Sequence, residues 1–214
     1  MNQSTRRLFL IQSLLRENPR YAGLSVPKDP AGQRQLLRAL MNVRAPKACD
    51  PEFLEMQDAY LSDETAKKGV TDIQDLTPVQ DGLYVWQGDI TALRCDAIVN
   101  AANSSLTGCY IPNHSCIDNC IHTFAGVQLR LACAELMEQQ GHEEPTGLAK
   151  ITQAFNLPCK YVLHTVGPII QSRVTEKDRQ LLASCYRSCL ELAATHDLES
   201  VAFCCISTGV FHFP

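Results

Sequence analysis

The stretch Asp96-Ala97-Ile98-Val99-Asn100-Ala101-Ala102-Asn103, DAIVNAAN in one-letter code, decides the fold. Its first half is a short, continuous apolar run, which is typical of a strand whose two faces are both covered. Asparagine side chains follow the run, at the carboxyl end of the strand, where open α/β sheets bind their ligands. The stretch therefore predicts a largely parallel α/β sheet with a binding site at this edge.

The pattern on either side of this stretch alternates strands with helices, as expected of an α/β domain. We predict further strands over residues 83–86, 161–164 and 201–207, and helices over residues 117–140 and 176–196. Residues 81–214 are therefore interpreted as one α/β domain.

Residues 1–80 have a different pattern and predict a helical N-terminal extension. The predicted helices span residues 6–16, 31–42 and 52–59, and Asp-Pro pairs precede the second and third of them. Aspartate at the N-cap followed by proline is a common helix start. We expect this extension to pack on the domain and to contain no cluster of chemically active groups.

Composition excludes some partners. The chain of 214 residues carries a net charge of −4, so no global basic field would attract nucleic acid. No apolar run approaches the roughly 20 residues that a membrane-spanning helix needs. Eleven cysteines without an export signal favour reduced thiols and a cytoplasmic location.

Three predicted strand ends carry polar residues, in the segments 88–91, 100–103 and 207–211. Asp89 offers an acceptor for an exocyclic amine or a ribose hydroxyl, and Asn103 offers both a donor and an acceptor. Backbone N–H groups of the Ser-Thr-Gly turn in the third segment are suited to a diphosphate, because glycine permits close approach.

The segment GCYIPNHSC, residues 108–116, concentrates soft metal ligands. Cys109, His114 and Cys116 offer sulfur, nitrogen and sulfur, which is a preferred donor set for Zn²⁺. Three protein ligands would leave the fourth tetrahedral position open, as in catalytic zinc sites. His122 is a rival third or fourth ligand, and a fourth protein ligand would close the site.

Taken together, these motifs resemble the macrodomain family, which binds ADP-ribose. The resemblance covers residues 83–214 and is carried by VWQGDIT, CDAIVNAAN, IDNCIHTFAG, TGLAKITQAFNLPCKYVLHTVGP and ISTGVFHFP. It implies a three-layer α/β/α fold with a mixed, largely parallel sheet. Family members continue past the position of Pro214, so we expect the C-terminal part of the domain to be missing.

The resemblance also implies roles for individual residues. Asp89 would meet the adenine amino group, Ile90 would lie against the diphosphate region, and Asn103 would face the distal ribose. Ser207, Thr208, Gly209 and Val210 would wrap the diphosphate, and Phe211 is a further expected substrate-binding residue.

The 108–116 segment replaces the glycine-rich loop of most hydrolytic macrodomains and is similar to a zinc-dependent branch. That branch removes mono-ADP-ribose from proteins, in some bacteria from a lipoyl carrier protein. Asn103, Asp118 and His122 are then the expected catalytic residues, with Asp118 as general base. An ADP-ribose-binding protein without turnover and an inactive truncated relative are the alternatives.

Two further histidines are assigned from context alone. His164 follows an apolar strand, so we expect it to be a packing residue. His212, in GVFHFP, either narrows the turn before it or contacts the ligand, and the sequence leaves these two roles open.

Overall fold

A computed structural model describes residues 1–21 and 23–214 of the chain. The helices are α1 (Gln3–Glu17), α2 (Pro30–Val43), α3 (Pro51–Lys68), α4 (Ile117–Ala125), α5 (Val127–Gln140) and α6 (Glu176–Thr195). The strands are β1 (Thr71–Asp72), β2 (Leu93–Arg94), β3 (Ala97–Ala101), β4 (Ala149–Gln153), β5 (Tyr161–Thr165) and β6 (Val201–Ala202).

The N-terminal extension folds as the three predicted helices, each longer than expected. Asn2 and Asp29 accept hydrogen bonds from backbone N–H groups in the first turns of α1 and α2, which fixes where these helices begin. Their apolar faces form a separate core of Leu10, Ile11, Leu14, Leu37, Leu40, Met41, Phe53, Tyr60 and Leu61, which α5 joins through Val127.

The main sheet has the order β4-β5-β3-β6 and is mixed, as the resemblance implied. β3 pairs in parallel with β5 and β6, whereas β4 is antiparallel to β5. Ile98 and Val162 face a core shared with α4 and α5, and Val99 and Leu163 face a core shared with α6. Helices thus cover both faces of β3, and this double burial explains its apolar sequence.

Several sequence-based boundaries are wrong. Residues 83–86 form no strand, and Leu83 and Val85 are 53% and 77% exposed. The segment has only an isolated bridge between Gln80 and Leu83, so its apolar pattern lacks a neighbouring strand to pair with. The strand predicted over 201–207 shrinks to β6, because the chain turns away after two paired residues.

The single helix predicted over residues 117–140 is two helices. Gly126 separates α4 from α5 with a φ of 97°, a backbone conformation that is open to glycine and strained for other residues. The short strands β1 and β2 and the antiparallel β4 were not predicted. None of the helices in the described residues combines the length and the hydropathy of a membrane-crossing segment.

Candidate active site

A large cleft opens at the carboxyl end of β3 and has a volume of about 1670 Å³. It is lined from three sides by residues of the segments 86–90, 101–118 and 203–211. Every sequence-predicted site residue lines this cleft except His122, which lies beneath it at a separate small cavity. The segments 101–118 and 203–211 follow β3 and β6, as expected of an α/β sheet, whereas residues 86–90 precede β2.

The 207–211 turn presents backbone donors to the cleft. Ser207 has a φ of 65°, and hydrogen bonds from His212 N to Gly209 O and from Phe213 N to Ser207 O close the turn. Among the described residues, the N–H groups of Gly209, Val210 and Phe211 have no protein acceptor. A concave run of free backbone donors of this kind suits an anionic ligand. His212 is exposed and lies outside the cleft lining.

Asp89 lines the cleft and caps a short 3-10 turn over Ile90–Ala92. Its Oδ1 accepts from the backbone N–H and the hydroxyl of Thr91, and its Oδ2 pairs with the ammonium of Lys68 from α3. Burial opposes ionisation, but these hydrogen bonds outweigh it and lower the pKa of Asp89. The residue is a fixed carboxylate that is still 44% exposed.

Asn103 and Asp118 both line the cleft and lie next to each other. Asn103 Nδ2 donates to the Gly108 carbonyl at 3.1 Å and lies 3.5 Å from Asp118 Oδ2. Its Oδ1 accepts from the backbone N–H and the hydroxyl of Ser105. Asn103 thus fixes the start of the 108–116 segment, in addition to lining the cleft.

Asp118 combines burial with access to the cleft. The residue is only 5% exposed, and Asn100 Nδ2 donates to its Oδ1 at 2.8 Å. Burial raises the pKa of Asp118 to about 6, against the opposing effects of the Asn100 hydrogen bond and the Arg130 charge. A carboxyl group poised near neutral pH in a cleft has the properties of a general base.

Two buried histidines lie behind Asp118. His122 Nε2 is 3.6 Å from Asp118 Oδ1, and both ring nitrogens of His122 are buried without a hydrogen-bond partner in the described residues. Burial and the nearby His164 lower the pKa of His122 well below its ordinary value, so the ring is neutral. His164, expected only to pack, lies between Asn100 Nδ2 at 3.2 Å and the Thr152 hydroxyl at 2.9 Å.

The 108–116 loop brings its three soft ligands together. The ligand atoms of Cys109, His114 and Cys116 all lie within 4.8 Å of one another, and Cys109 Sγ is 3.7 Å from His114 Nδ1. The three side chains therefore converge, and their role as metal ligands stays a prediction. His122 does not join them, because it groups with Cys133 and His164 in the core. Its role as a rival ligand stays a prediction.

Burial and neighbouring groups both change the pKa of Cys116. Burial raises the pKa of Cys116 to about 11; the Asn119 N–H opposes this shift and the neighbouring Cys109 adds to it. Cys116 is also the N-cap of α4, where the helix dipole favours negative charge. A cation between the two sulfurs would stabilise both as thiolates.

Sequence reasoning missed residues that reach the site from distant segments. Arg38 contacts the 108–116 loop from α2, Lys68 contacts Asp89 from α3, and Asn100 holds Asp118 from β3. Arg38 and Lys68 show that the extension contacts the cleft residues, and the expectation that it contains no cluster of chemically active groups stays a prediction. No local signal identifies Arg38 or Lys68, since each differs from neighbouring basic residues only in its tertiary contacts.

The chain is similar in sequence to proteins of known family. The Macro domain family model matches residues 99–214. A protein-ADP-ribose hydrolase of Treponema medium is 62% identical over 100% of this chain and 84% of its own length. A protein-ADP-ribose hydrolase of Staphylococcus aureus strain MSSA476 is 53% identical over 96% of this chain and 78% of its own.

Among solved structures, the Trypanosoma brucei macrodomain in complex with ADP-ribose aligns with a TM-score of 0.60 and 30% identity. The alignment covers 88% of this chain and 78% of that one, so it includes helices of the extension as well as the sheet. Because the family model matches more than half of the sequence and the bacterial relatives match nearly all of it, the chain belongs to the macro domain family.

Proposed function

We propose that this protein hydrolyses mono-ADP-ribose from modified proteins and releases ADP-ribose, with zinc held in the cleft. The observation that carries the proposal is the position of the Cys109, His114 and Cys116 group in the same cleft as Asp118 and the 207–211 turn. Relatives at 62% and 53% identity are named protein-ADP-ribose hydrolases, which supports the reaction class.

The residues present fit zinc. Sulfur and nitrogen ligands on a tetrahedral zinc ion lie about 3.6 Å apart, given Zn–S and Zn–N bonds of about 2.3 and 2.0–2.1 Å. The separation of 3.7 Å between Cys109 Sγ and His114 Nδ1 agrees with this value. When bound, zinc supplies Lewis acidity and an open position for an oxygen ligand.

ADP-ribose would lie along the cleft, with backbone donors facing its charged diphosphate and polar side chains facing its adenine and ribose. Asp89 accepts from the adenine amine, and Ile90 lies against the diphosphate region. The free N–H groups of Gly209, Val210 and Phe211 donate to the diphosphate oxygens. The distal ribose then lies beside Asn103 and Asp118, which are the polar groups at the 108–116 end of the cleft.

Asp118 would act on the attacking water. The bond between the anomeric carbon of the distal ribose and the protein side chain breaks, and the water oxygen takes its place. Asp118 accepts the proton that the water loses, and the released side chain takes up a proton. The carboxylate also stabilises positive charge that develops at the anomeric carbon, as it does in glycoside hydrolysis.

The partners that we propose follow from the resemblance to the zinc-dependent branch, and the location follows from the free thiols. The substrate is an ADP-ribosylated protein, and a lipoyl carrier protein is the first one to test. All eleven cysteines are free in the structure, and thiolate ligands need reducing conditions. We therefore place the activity in the cytoplasm.

The test is metal analysis of the purified protein followed by hydrolysis assays on ADP-ribosylated proteins, including a modified lipoyl carrier protein. Chelation should lower kcat/KM at least about tenfold, and added zinc should restore it. Cys109→Ser should behave like the chelated protein. Cys49→Ser, which removes a half-buried thiol of the extension, is the matched control.

Two outcomes would contradict parts of the proposal. Turnover that persists unchanged after chelation and in Cys109→Ser would exclude zinc from the reaction while leaving the hydrolase intact. Tight binding of ADP-ribose without any release from modified proteins would identify an ADP-ribose-binding protein instead of a hydrolase.

A further inference from the structure

We propose that Arg38 and Asn42 of α2 are positioning residues for the 108–116 loop and set its affinity for zinc. This inference rests on the proposed zinc site, and it assigns a function to the N-terminal extension. Both side chains act through the loop backbone, because neither belongs to the group of Cys109, His114 and Cys116.

The 108–116 loop holds itself together weakly. Within the described residues, its one internal backbone hydrogen bond runs from His114 N to Ile111 O at 3.2 Å. Gly108 and Asn113 adopt positive φ angles of 85° and 57°, so the loop also stores backbone strain at Asn113. A loop with this shape keeps its ligands converged only if contacts from outside maintain it.

Arg38 provides the contact at the ligand itself. Its Nη2 donates to the carbonyl oxygen of His114 at 2.7 Å and to Oδ1 of Asn119 at 3.0 Å. The same nitrogen lies 3.5 Å from Cys120 Sγ. A charged donor makes a stronger hydrogen bond than a neutral one, so the guanidinium fixes the backbone from which the His114 ring projects.

Asn42 fixes the preceding residue. Its Oδ1 accepts from the strained Asn113 N–H at 2.9 Å, and its Nδ2 donates to the Thr123 hydroxyl at 2.9 Å. The side chain is 1% exposed, so both hydrogen bonds are shielded from water. The bond to Thr123 orients the amide, which leaves the oxygen facing Asn113.

Asn119 of α4 joins the two ends of the loop. Its Nδ2 donates to the carbonyls of Cys109 and Ile111 at 3.3 and 3.0 Å, while its Oδ1 accepts from Arg38. Arg38 therefore connects the His114 side of the loop to the Cys109 side through one amide. Loss of Arg38 should let these ligands separate, and removal of such supporting contacts typically weakens metal binding 10–100-fold.

The experiment compares zinc affinity among variants of the full chain by competition with a chromophoric chelator. Arg38→Met should weaken zinc binding about 10–100-fold. Arg34→Met removes the same charge from an exposed position one turn earlier on α2, and it should stay within about twofold of wild type. Arg38→Lys keeps the charge and one donor, so it should recover part of the affinity.

Cobalt(II) loading gives a readout that a general loss of stability would not change in the same way. The thiolate-to-cobalt absorption should shift or weaken in Arg38→Met and stay unchanged in Arg34→Met. ADP-ribose affinity, measured calorimetrically, should change little in either variant, because the donors of the 207–211 turn lie in a different segment.

A second pair of variants decides the matter if Arg38→Met does not fold. Asn42→Asp keeps an oxygen that accepts from Asn113 N–H, whereas Asn42→Leu removes it. We expect a loss of zinc affinity of about tenfold or more for Asn42→Leu and a smaller loss for Asn42→Asp, which keeps the acceptor for Asn113 but loses the donor to Thr123.

The outcomes separate this inference from the proposed function. Equal zinc affinity and cobalt spectra in wild type, Arg38→Met and Asn42→Leu would overturn the positioning role while leaving the zinc site intact. A wild-type protein that binds no zinc would instead overturn the proposed metal site, and this inference with it.

Discussion

Asn100 donates from its side-chain Nδ2 to Oδ1 of Asp118 across 2.8 Å, and both side chains are buried. The same amide lies 3.2 Å from Nδ1 of His164, whose Nε2 is 2.9 Å from the Thr152 hydroxyl. Since the amide is the donor, His164 Nδ1 is the acceptor, and the other ring nitrogen carries the proton. A chain of polar groups inside the sheet thus orients the proposed general base.

Asn100→Ala should lower kcat on an ADP-ribosylated protein by roughly 100-fold, because a displacement of about 1 Å in a catalytic group has that effect. ADP-ribose affinity should fall much less, since Asp89 and the 207–211 turn remain. Steady-state kinetics and calorimetric binding check the two effects separately.

Asn156→Ala is the matched control for Asn100→Ala. It removes a side-chain amide that donates to Asp58 at 2.7 Å and to the Ala125 carbonyl at 3.0 Å, outside the cleft lining. Stability should fall while kcat stays near wild type. If both variants lose kcat equally, general destabilisation explains the loss and Asn100 has no orienting role.

Gly108 is expected to tolerate alanine poorly for two reasons. Its φ of 85° is strained for any residue with a side chain, and an added Cβ would lie 2.7 Å from the ring of the buried His122. We expect Gly108→Ala to destabilise the protein by roughly 1–3 kcal/mol from strain and by a comparable amount from overpacking. Urea denaturation gives the free energy of unfolding.

Gly141→Ala separates these two contributions. Gly141 ends α5 with a φ of 75°, yet nothing lies within 4 Å of an added Cβ. Its destabilisation should therefore report strain alone and be the smaller of the two. Equal losses at the two positions would show that the His122 ring moves aside without cost.

Local signals in the sequence were sufficient for part of the fold. Asp29-Pro30 predicted the start of α2, and the apolar run of β3 predicted a strand buried on both faces. The run over residues 83–86 has the same local character, but no neighbouring strand pairs with it. Strand formation depends on a partner, which a local pattern does not specify.

In the candidate site, too, features within one short segment could be predicted from the sequence, whereas contacts between distant segments could not. Convergence of Cys109, His114 and Cys116 was predictable because a short loop confines them. The hydrogen bond from Arg38 to the His114 carbonyl joins residues 76 positions apart, and only the packing of α2 on α4 creates it. Long-range contacts of this kind are invisible in sequence periodicity, and for that reason Arg38 was not identified as a neighbour of the loop.

Asp89→Asn should weaken ADP-ribose binding about tenfold, which corresponds to the loss of one charge-assisted hydrogen bond. The amide keeps an oxygen for Thr91 but replaces Oδ2, which pairs with Lys68 and which we assign to the adenine amine, with a donor. Asp75→Asn, at an exposed acid outside the cleft lining, is the charge-matched control. Unchanged affinity in Asp89→Asn, measured by calorimetry, would contradict the adenine assignment.

Acid should destabilise the protein through His164. Burial lowers the pKa of His164 to about 4, from 6.5 for an unperturbed histidine. Below pH 6.5 the unfolded chain therefore binds a proton that the folded chain does not, and stability falls as the pH decreases towards 4. His122, also lowered, acts in the same direction, whereas the raised pKa of Asp118 acts in the opposite direction.

His164→Gln isolates the His164 contribution from that of the other groups. The quantity to follow is the free energy of unfolding of wild type minus that of the variant. It should fall by about 2 kcal/mol when the pH is lowered from 7.5 to 5. Urea denaturation at both pH values measures this difference. A difference that does not change with pH would mean that His164 binds protons equally in the folded and unfolded states, and that burial does not keep it neutral.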